Sequence, residues 1–113
     1  MVQIIAYKQI FIPTNKGPKS VMAENIIRIE ASSSYSRIYF TNEVPLTVAK
    51  LLHWFEGRLP DEYFYRIHRT HIVNRLFVST ISGNSKLTLV NGDQLQTSRR
   101  KKNVVRQMAS MIP

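Results

Sequence analysis

Chemistry in this chain is concentrated in four polar clusters and one pair of histidines. Ser32-Ser33-Ser34-Tyr35-Ser36-Arg37 places hydroxyls ahead of an arginine. Such groups suit phosphate oxygens and base edges, and a serine-rich link between two strands is an equal reading. Arg66-Ile67-His68-Arg69-Thr70, if extended, throws Arg66, His68 and Thr70 to one side. Arg66 is equally suited to pairing with Glu62 or Asp61. Asn74-Arg75 reads as a turn in which the Asn74 amide caps the backbone. Thr97-Ser98-Arg99-Arg100-Lys101-Lys102 sets four consecutive cations behind two hydroxyls. That run is either a solvated face or, in a strongly basic chain, a set of phosphate and base contacts. His68-x-x-His71 has the spacing of two metal ligands on one helix face. With no cysteine and no nearby carboxylate to complete four ligands, a packed or hydrogen-bonded role fits better, and neither metal nor cofactor is expected.

Catalytic arrangements are not apparent. The seven acids include no D-x-D or E-x-K pairing of the kind that holds Mg²⁺, and Gly83 and Gly92 are isolated hairpin glycines rather than a phosphate cradle. A binding role is therefore expected, not an enzymatic one. Lysine and arginine number 16 against 7 acids, a net charge of +9 in 113 residues. Residues 57–113 hold ten of those cations and three of the acids, so the partner-facing half is the second. A basic chain of this size suits a polyanion, nucleic acid first, with an acidic protein or an anionic surface as the alternative. No apolar run approaches the ~18 residues needed to span a bilayer, and no signal-like N-terminus is visible. One domain over 1–113, with a core of about 8–111, and a cytoplasmic location are expected.

Period-two alternation and turn residues must position these clusters. Ile10 and Ile12 oppose Phe11, Asn15-Lys16-Gly17-Pro18 reads as a turn, and residues 25–31 place Ile27 and Ile29 on one face against Ile26, Arg28 and Glu30. SRIYF and VPLTV flank a hairpin-sized gap at Thr41-Asn42-Glu43, so the simplest topology is a meander. The period then becomes helical at Val48, Leu51, Leu52, Phe55 and Leu59. A helix over roughly 48–57 follows, capped by Thr47 and ended by Gly57. FYRIHRTHIVN settles on neither a strand edge nor helical turns and is read as irregular. Ser82-Gly83-Asn84-Ser85 and Asn91-Gly92-Asp93 predict two successive tight hairpins. Val104, Val105, Met108 and Met111 fall at helical spacing behind the basic run, as in a short docking helix.

Taken in order, Glu30 to Arg37, Phe64 to Asn74 and Gly92 to Arg100 resemble the LytTR DNA-binding domain of bacterial response regulators. The middle segment is the most specific, with Phe64, Arg66, His68 and Val73-Asn74 all fitting the family's pattern. The resemblance implies a mainly β fold of elongated, stacked sheets with one or two short helices. It also implies sequence-specific reading of the major grooves of double-stranded DNA by loops, in transcription regulation within two-component systems. By position, base-reading contacts fall at Ser36, Arg69 and Arg100. Ser36 has a short reach, and Arg69 favours guanine where an amide would favour adenine. Ser34, Arg37, His68, Thr70, Ser98, Arg99, Lys101 and Lys102 complete the expected DNA-binding set. The receiver domain usual in the family has no counterpart in the nine residues before Ile10, which suggests a fragment or a stand-alone regulator. Tandem direct repeats are the expected target, and the isolated domain is expected to be monomeric.

Overall fold

A computed structural model of the chain describes residues 8–83 and 85–111. Three antiparallel sheets make up the body. β1 (Gln9–Thr14) and β2 (Gly17–Met22) form a hairpin. The central sheet contains β3 (Ile26–Ser32), β4 (Tyr35–Phe40), β5 (Leu46–Val48), β6 (Phe64–His68) and β7 (His71–Asn74), in the order β5-β4-β3-β7-β6. The third sheet has β8 (Val78–Ser82), β9 (Lys86–Leu89) and β10 (Gln94–Gln96), in the order β10-β9-β8. Two short helices, α1 (Leu52–Glu56) and α2 (Lys102–Ser110), complete the mainly β architecture expected from the sequence.

The turns form where glycine permits a left-handed backbone. Gly17 has φ 100° between β1 and β2, and Gly92 has φ 93° between β9 and β10, conformations that a Cβ would strain. The second expected hairpin also forms, between β8 and β9, although its Asn84 lies outside the described residues.

Both faces of the central sheet are covered, and this explains most departures from the sequence reading. One core contains Ile10 and Ile12 of β1, Ile26, Ile29, Ile38 and Ile72 of the central sheet, and Leu52 and Phe55 of α1. The other lies beneath β8–β10 and α2 and contains Ile27, Tyr65, Ile67, Val73, Leu87, Leu89, Val105 and Met108. A strand buried on both faces loses its polar alternation. Residues 64–74 are therefore not irregular: they form the β6–β7 hairpin, with Phe64 and Ile72 in the first core and Tyr65, Ile67 and Val73 in the second.

The grouping of Ile27 with Ile29 is likewise corrected. The β3–β4 register shifts between Ile26 and Arg28, so Ile26 and Ile29 share one core while Ile27 enters the other. The meander holds for β3, β4 and β5, which pair in chain order, but does not extend to β1 and β2, which form a separate sheet; β7 adds to β3 on the side away from β4. Residues 41–45 make a wider connection than the tight gap expected between β4 and β5. Thr47 caps no helix, since it lies within β5 opposite Arg37. α1 starts later, with Leu51 at its N-cap making no side-chain cap bond, and stops at Gly57 as expected. At the C-terminus Val105 and Met108 are buried, whereas Met111 is 43% exposed beyond the end of α2.

Candidate nucleic-acid interface

Strand direction gathers the polar clusters at one end of the central sheet. β3 ends and β4 begins there, joined by the Ser33-Ser34 turn, and the antiparallel β6 and β7 bring their Arg69-Thr70 turn to the same end. The Ala31 N–H donates to the Thr70 carbonyl at 2.8 Å and holds the two turns side by side. The Ser98 N–H donates to the Ile67 carbonyl at 3.0 Å, docking the basic run against β6. Arg99–Lys101 then turns as a single 3-10 helix into α2.

These neighbours enclose an open groove of about 630 Å³ lined by Glu56, Arg66, His68, Arg69, Ser98, Arg99, Arg100 and Lys101. Five of the eight side chains are cations and one is an acid. Arg66 pairs with Glu56 at 2.5 Å, whereas Arg69, Arg99, Arg100 and Lys101 make no ion pair among the described residues. Unpaired cations converging on one groove make a site for an extended anion. Arg69, Arg99 and Arg100 are exposed, so their donors are free to reach base edges or phosphates.

The β6–β7 turn is stiffened from within. His68 Nδ1 accepts the Thr70 N–H at 3.2 Å and lies 2.8 Å from the Thr70 hydroxyl. A ring nitrogen that accepts a main-chain N–H carries no proton, so the imidazole hydrogen of the neutral ring sits on Nε2 as a donor. Behind this turn, His71 is half-buried, with Nδ1 shielded from solvent and without a hydrogen bond among the described residues. Burial pushes its pKa below the ordinary 6.5, with Arg28 and His68 adding to the effect and Glu30 opposing it. Arg28, also buried, binds Glu30 at 2.7 Å and Asp93 at 3.0 Å and stacks 3.8 Å over the Tyr39 ring. Burial works against its charge, but the bonds to Glu30 and Asp93 outweigh it and raise its pKa. The result ties the central sheet to the β9–β10 turn.

His68, Arg69, Ser98, Arg99, Arg100 and Lys101 thus come together from the set expected from the sequence, and Thr70 adjoins them through His68. Ser34 is exposed on the neighbouring turn, and Lys102 is exposed at the start of α2 outside the groove lining. Arg37 projects from β4 with its guanidinium 5.6 Å from the Tyr39 ring centroid. Ser36 requires a correction. It is fully buried, and its hydroxyl donates to the Lys50 carbonyl at 2.5 Å, so it offers nothing to a base edge. Arg66 bonds Glu56 rather than Glu62 or Asp61, although Asp61 lines the same small pocket as Glu56 and Arg66. Asn74 does cap: its amide oxygen accepts from the Leu76 N–H at 3.0 Å while its NH₂ donates to the Ile26 carbonyl at 3.0 Å.

Glu56 and Lys50 were not legible as neighbours of the site. Glu56 is ten residues from Arg66 in sequence and meets it only through packing of α1. Lys50 lines a second groove with Tyr35, Thr47 and Pro13–Asn15 of the β1–β2 turn. The one available signal for Arg66 was its alternation with His68, which holds only if the segment is a strand.

The chain matches the family model for the LytTr DNA-binding domain over residues 18–110. Among solved structures it is similar to a chain described as the LytTr DNA-binding domain of a methyl-accepting/DNA response regulator from Bacillus cereus. That match has a TM-score of 0.76 and 23% identity, and covers 92% of this chain and 98% of that one. At that identity the likeness establishes the fold. Comparison with curated proteins gives no match. With the family model spanning the central and third sheets and the basic groove, the chain belongs to the LytTR family of DNA-binding domains.

Proposed function

We propose that this domain binds double-stranded DNA sequence-specifically and acts in transcription regulation, reading the major groove from the turns at one end of its central sheet. The observation that carries this reading is the convergence of unpaired Arg69, Arg99, Arg100 and Lys101 on one groove. In this reading Arg69 and Arg100 face base edges, where a bidentate arginine selects guanine. Arg99, Lys101, Lys102, Ser34, Arg37 and Ser98 neutralise or hydrogen-bond phosphates and set register. His68 offers Nε2–H as a further donor, while Thr70 holds the ring.

Membership in a DNA-binding-domain family supports the reading. The Bacillus cereus domain belongs, by its description, to a response regulator. By analogy the present chain serves as a regulatory output unit in a bacterial cytoplasm. It folds as one domain, is monomeric alone, and occupies tandem direct repeats one copy per repeat.

The test is a titration with the best duplex selected from a random pool and with a scrambled duplex of equal length. With about five to seven phosphates contacted, log K against log[salt] should slope near −5. A slope shallower than about −2, with no preference for the selected duplex, would instead favour an acidic protein partner.

A further inference from the structure

Glu56 is out of place in the basic groove. A carboxylate there repels the phosphates that the surrounding cations attract, yet its Oε1 lies 2.5 Å from Arg66 Nη1. The other donors of that guanidinium are turned inward. Nη2 donates to the Arg69 carbonyl at 2.7 Å and Nε to the His68 carbonyl at 3.4 Å. The β6–β7 ladder is irregular at this point, its register shifting between Arg66 and His68. The fork of Arg66 therefore collects carbonyls at the ladder's disturbed end, and a planar guanidinium can do this where an ammonium cannot.

We infer that Glu56 and Arg66 form a clamp that fixes the β6–β7 turn so that Arg69 reads one base, and that they govern specificity without themselves reading it. The clamp rests on the DNA-binding reading above. Its physical basis is that bidentate base recognition tolerates only about half an ångström of misplacement, so the backbone bearing Arg69 must be held before DNA arrives. Arg66 holds that backbone at two carbonyls, and Glu56 holds Arg66 from α1. Charge and geometry then make opposite forecasts for one substitution. Removing Glu56 raises the net positive charge of the groove and should tighten binding to any duplex, but it releases Arg66 and should loosen the choice among duplexes.

The experiment compares wild type, Glu56→Ala and Arg66→Lys on the selected and scrambled duplexes, each also in an Arg69→Ala background. Glu56→Ala should bind the scrambled duplex more tightly than wild type, while its preference for the selected duplex falls about tenfold, within the range of one bidentate contact. Arg66→Lys keeps the charge and should leave scrambled binding unchanged while losing a similar factor of preference. In the Arg69→Ala background neither substitution should reduce preference further, because both act through that side chain. Glu56 and Arg66 are both partly exposed, so folding should survive, and thermal melting checks each variant. If Glu56→Ala improves both duplexes by one factor, or Arg66→Lys keeps the wild-type preference, or the losses persist without Arg69, the clamp is wrong while DNA recognition stands. If wild type itself shows no preference, the underlying reading fails and the clamp falls with it.

Discussion

Two turns lie side by side at the end of the central sheet, and they are built differently. The β6–β7 turn is braced by side chains: Arg66 on its carbonyls, and His68 against Thr70. The β3–β4 turn has no such brace. Ser32, Ser33 and Ser34 are exposed, with no side-chain hydrogen bond among the described residues, and Ser33 takes a left-handed φ of 58°. A turn that must aim one long side chain at a base needs its backbone immobilised, whereas short hydroxyls meeting phosphates tolerate a looser frame. In the proposed function, specificity accordingly belongs to the braced turn and the basic run, and register to the serine turn.

The most damaging test of this comparison removes what both turns share. Ile29 pairs with Ile38 of β4 and Ile72 of β7 and is fully buried, so Ile29→Asp places an unpaired carboxylate in the core. That change should exceed the stability of a domain this size, abolishing a cooperative melt by circular dichroism. A wild-type melting temperature would mean that the assigned register is wrong.

Next in size are the proposed base readers. Arg69→Ala and Arg100→Ala should each cost about 1–3 kcal/mol against the preferred duplex only, whereas Ser34→Ala should change discrimination by less than about 0.5 kcal/mol. Lys102→Ala should weaken all duplexes alike and reduce the salt slope by about one. Equal losses for Arg69→Ala on selected and scrambled duplexes would erase the distinction between the turns.

Ser36→Ala sharpens the comparison from the other side. It removes a buried hydrogen bond to Lys50 and should lower stability by about 1–2 kcal/mol in denaturant unfolding, with discrimination unchanged. A loss of discrimination without a loss of stability would restore Ser36 as a base reader.

The smallest effect expected is on pH dependence. His71 has a pKa lowered below 6.5 in the folded chain by burial, with Arg28 and His68 contributing and Glu30 opposing. The unfolded chain then binds the proton more readily, so this stabilisation is fully present above pH 6.5 and is lost as pH falls through the folded pKa. Melting temperatures measured from pH 8 downward should show a decrease below pH 6.5 that His71→Gln diminishes. An unchanged pH profile in that variant would contradict it.

Legibility in the sequence followed physical simplicity. Glycine-centred hairpins announced themselves because Gly17 and Gly92 occupy backbone conformations that few other residues tolerate. The β1 alternation was equally plain, with Ile10 and Ile12 buried and Phe11 61% exposed. Residues 64–74 were opaque because two cores claim alternate side chains while Arg66 and His68 interrupt one of the two faces, so neither face reads as purely apolar or purely polar. Ser36 was misjudged for a related reason. A small hydroxyl has the same appearance in sequence whether it meets DNA or satisfies a distant carbonyl, here that of Lys50. The basic run and the Arg69 turn were legible by charge, but the contact of Glu56 with Arg66 arises only from packing of α1 against the sheet end.

In the proposed function, the groove between the β6–β7 turn and the basic run is the DNA interface. Its most direct test is amide chemical-shift mapping by NMR as the selected duplex is titrated into the domain. The largest perturbations are expected at Arg69, Thr70 and Ser98 to Lys101, smaller ones at Ser33 and Ser34, and none at Ser79 and Thr80 on β8. Perturbations centred on β8 or the exposed face of α2, with the 69–70 and 98–101 amides unmoved, would contradict it.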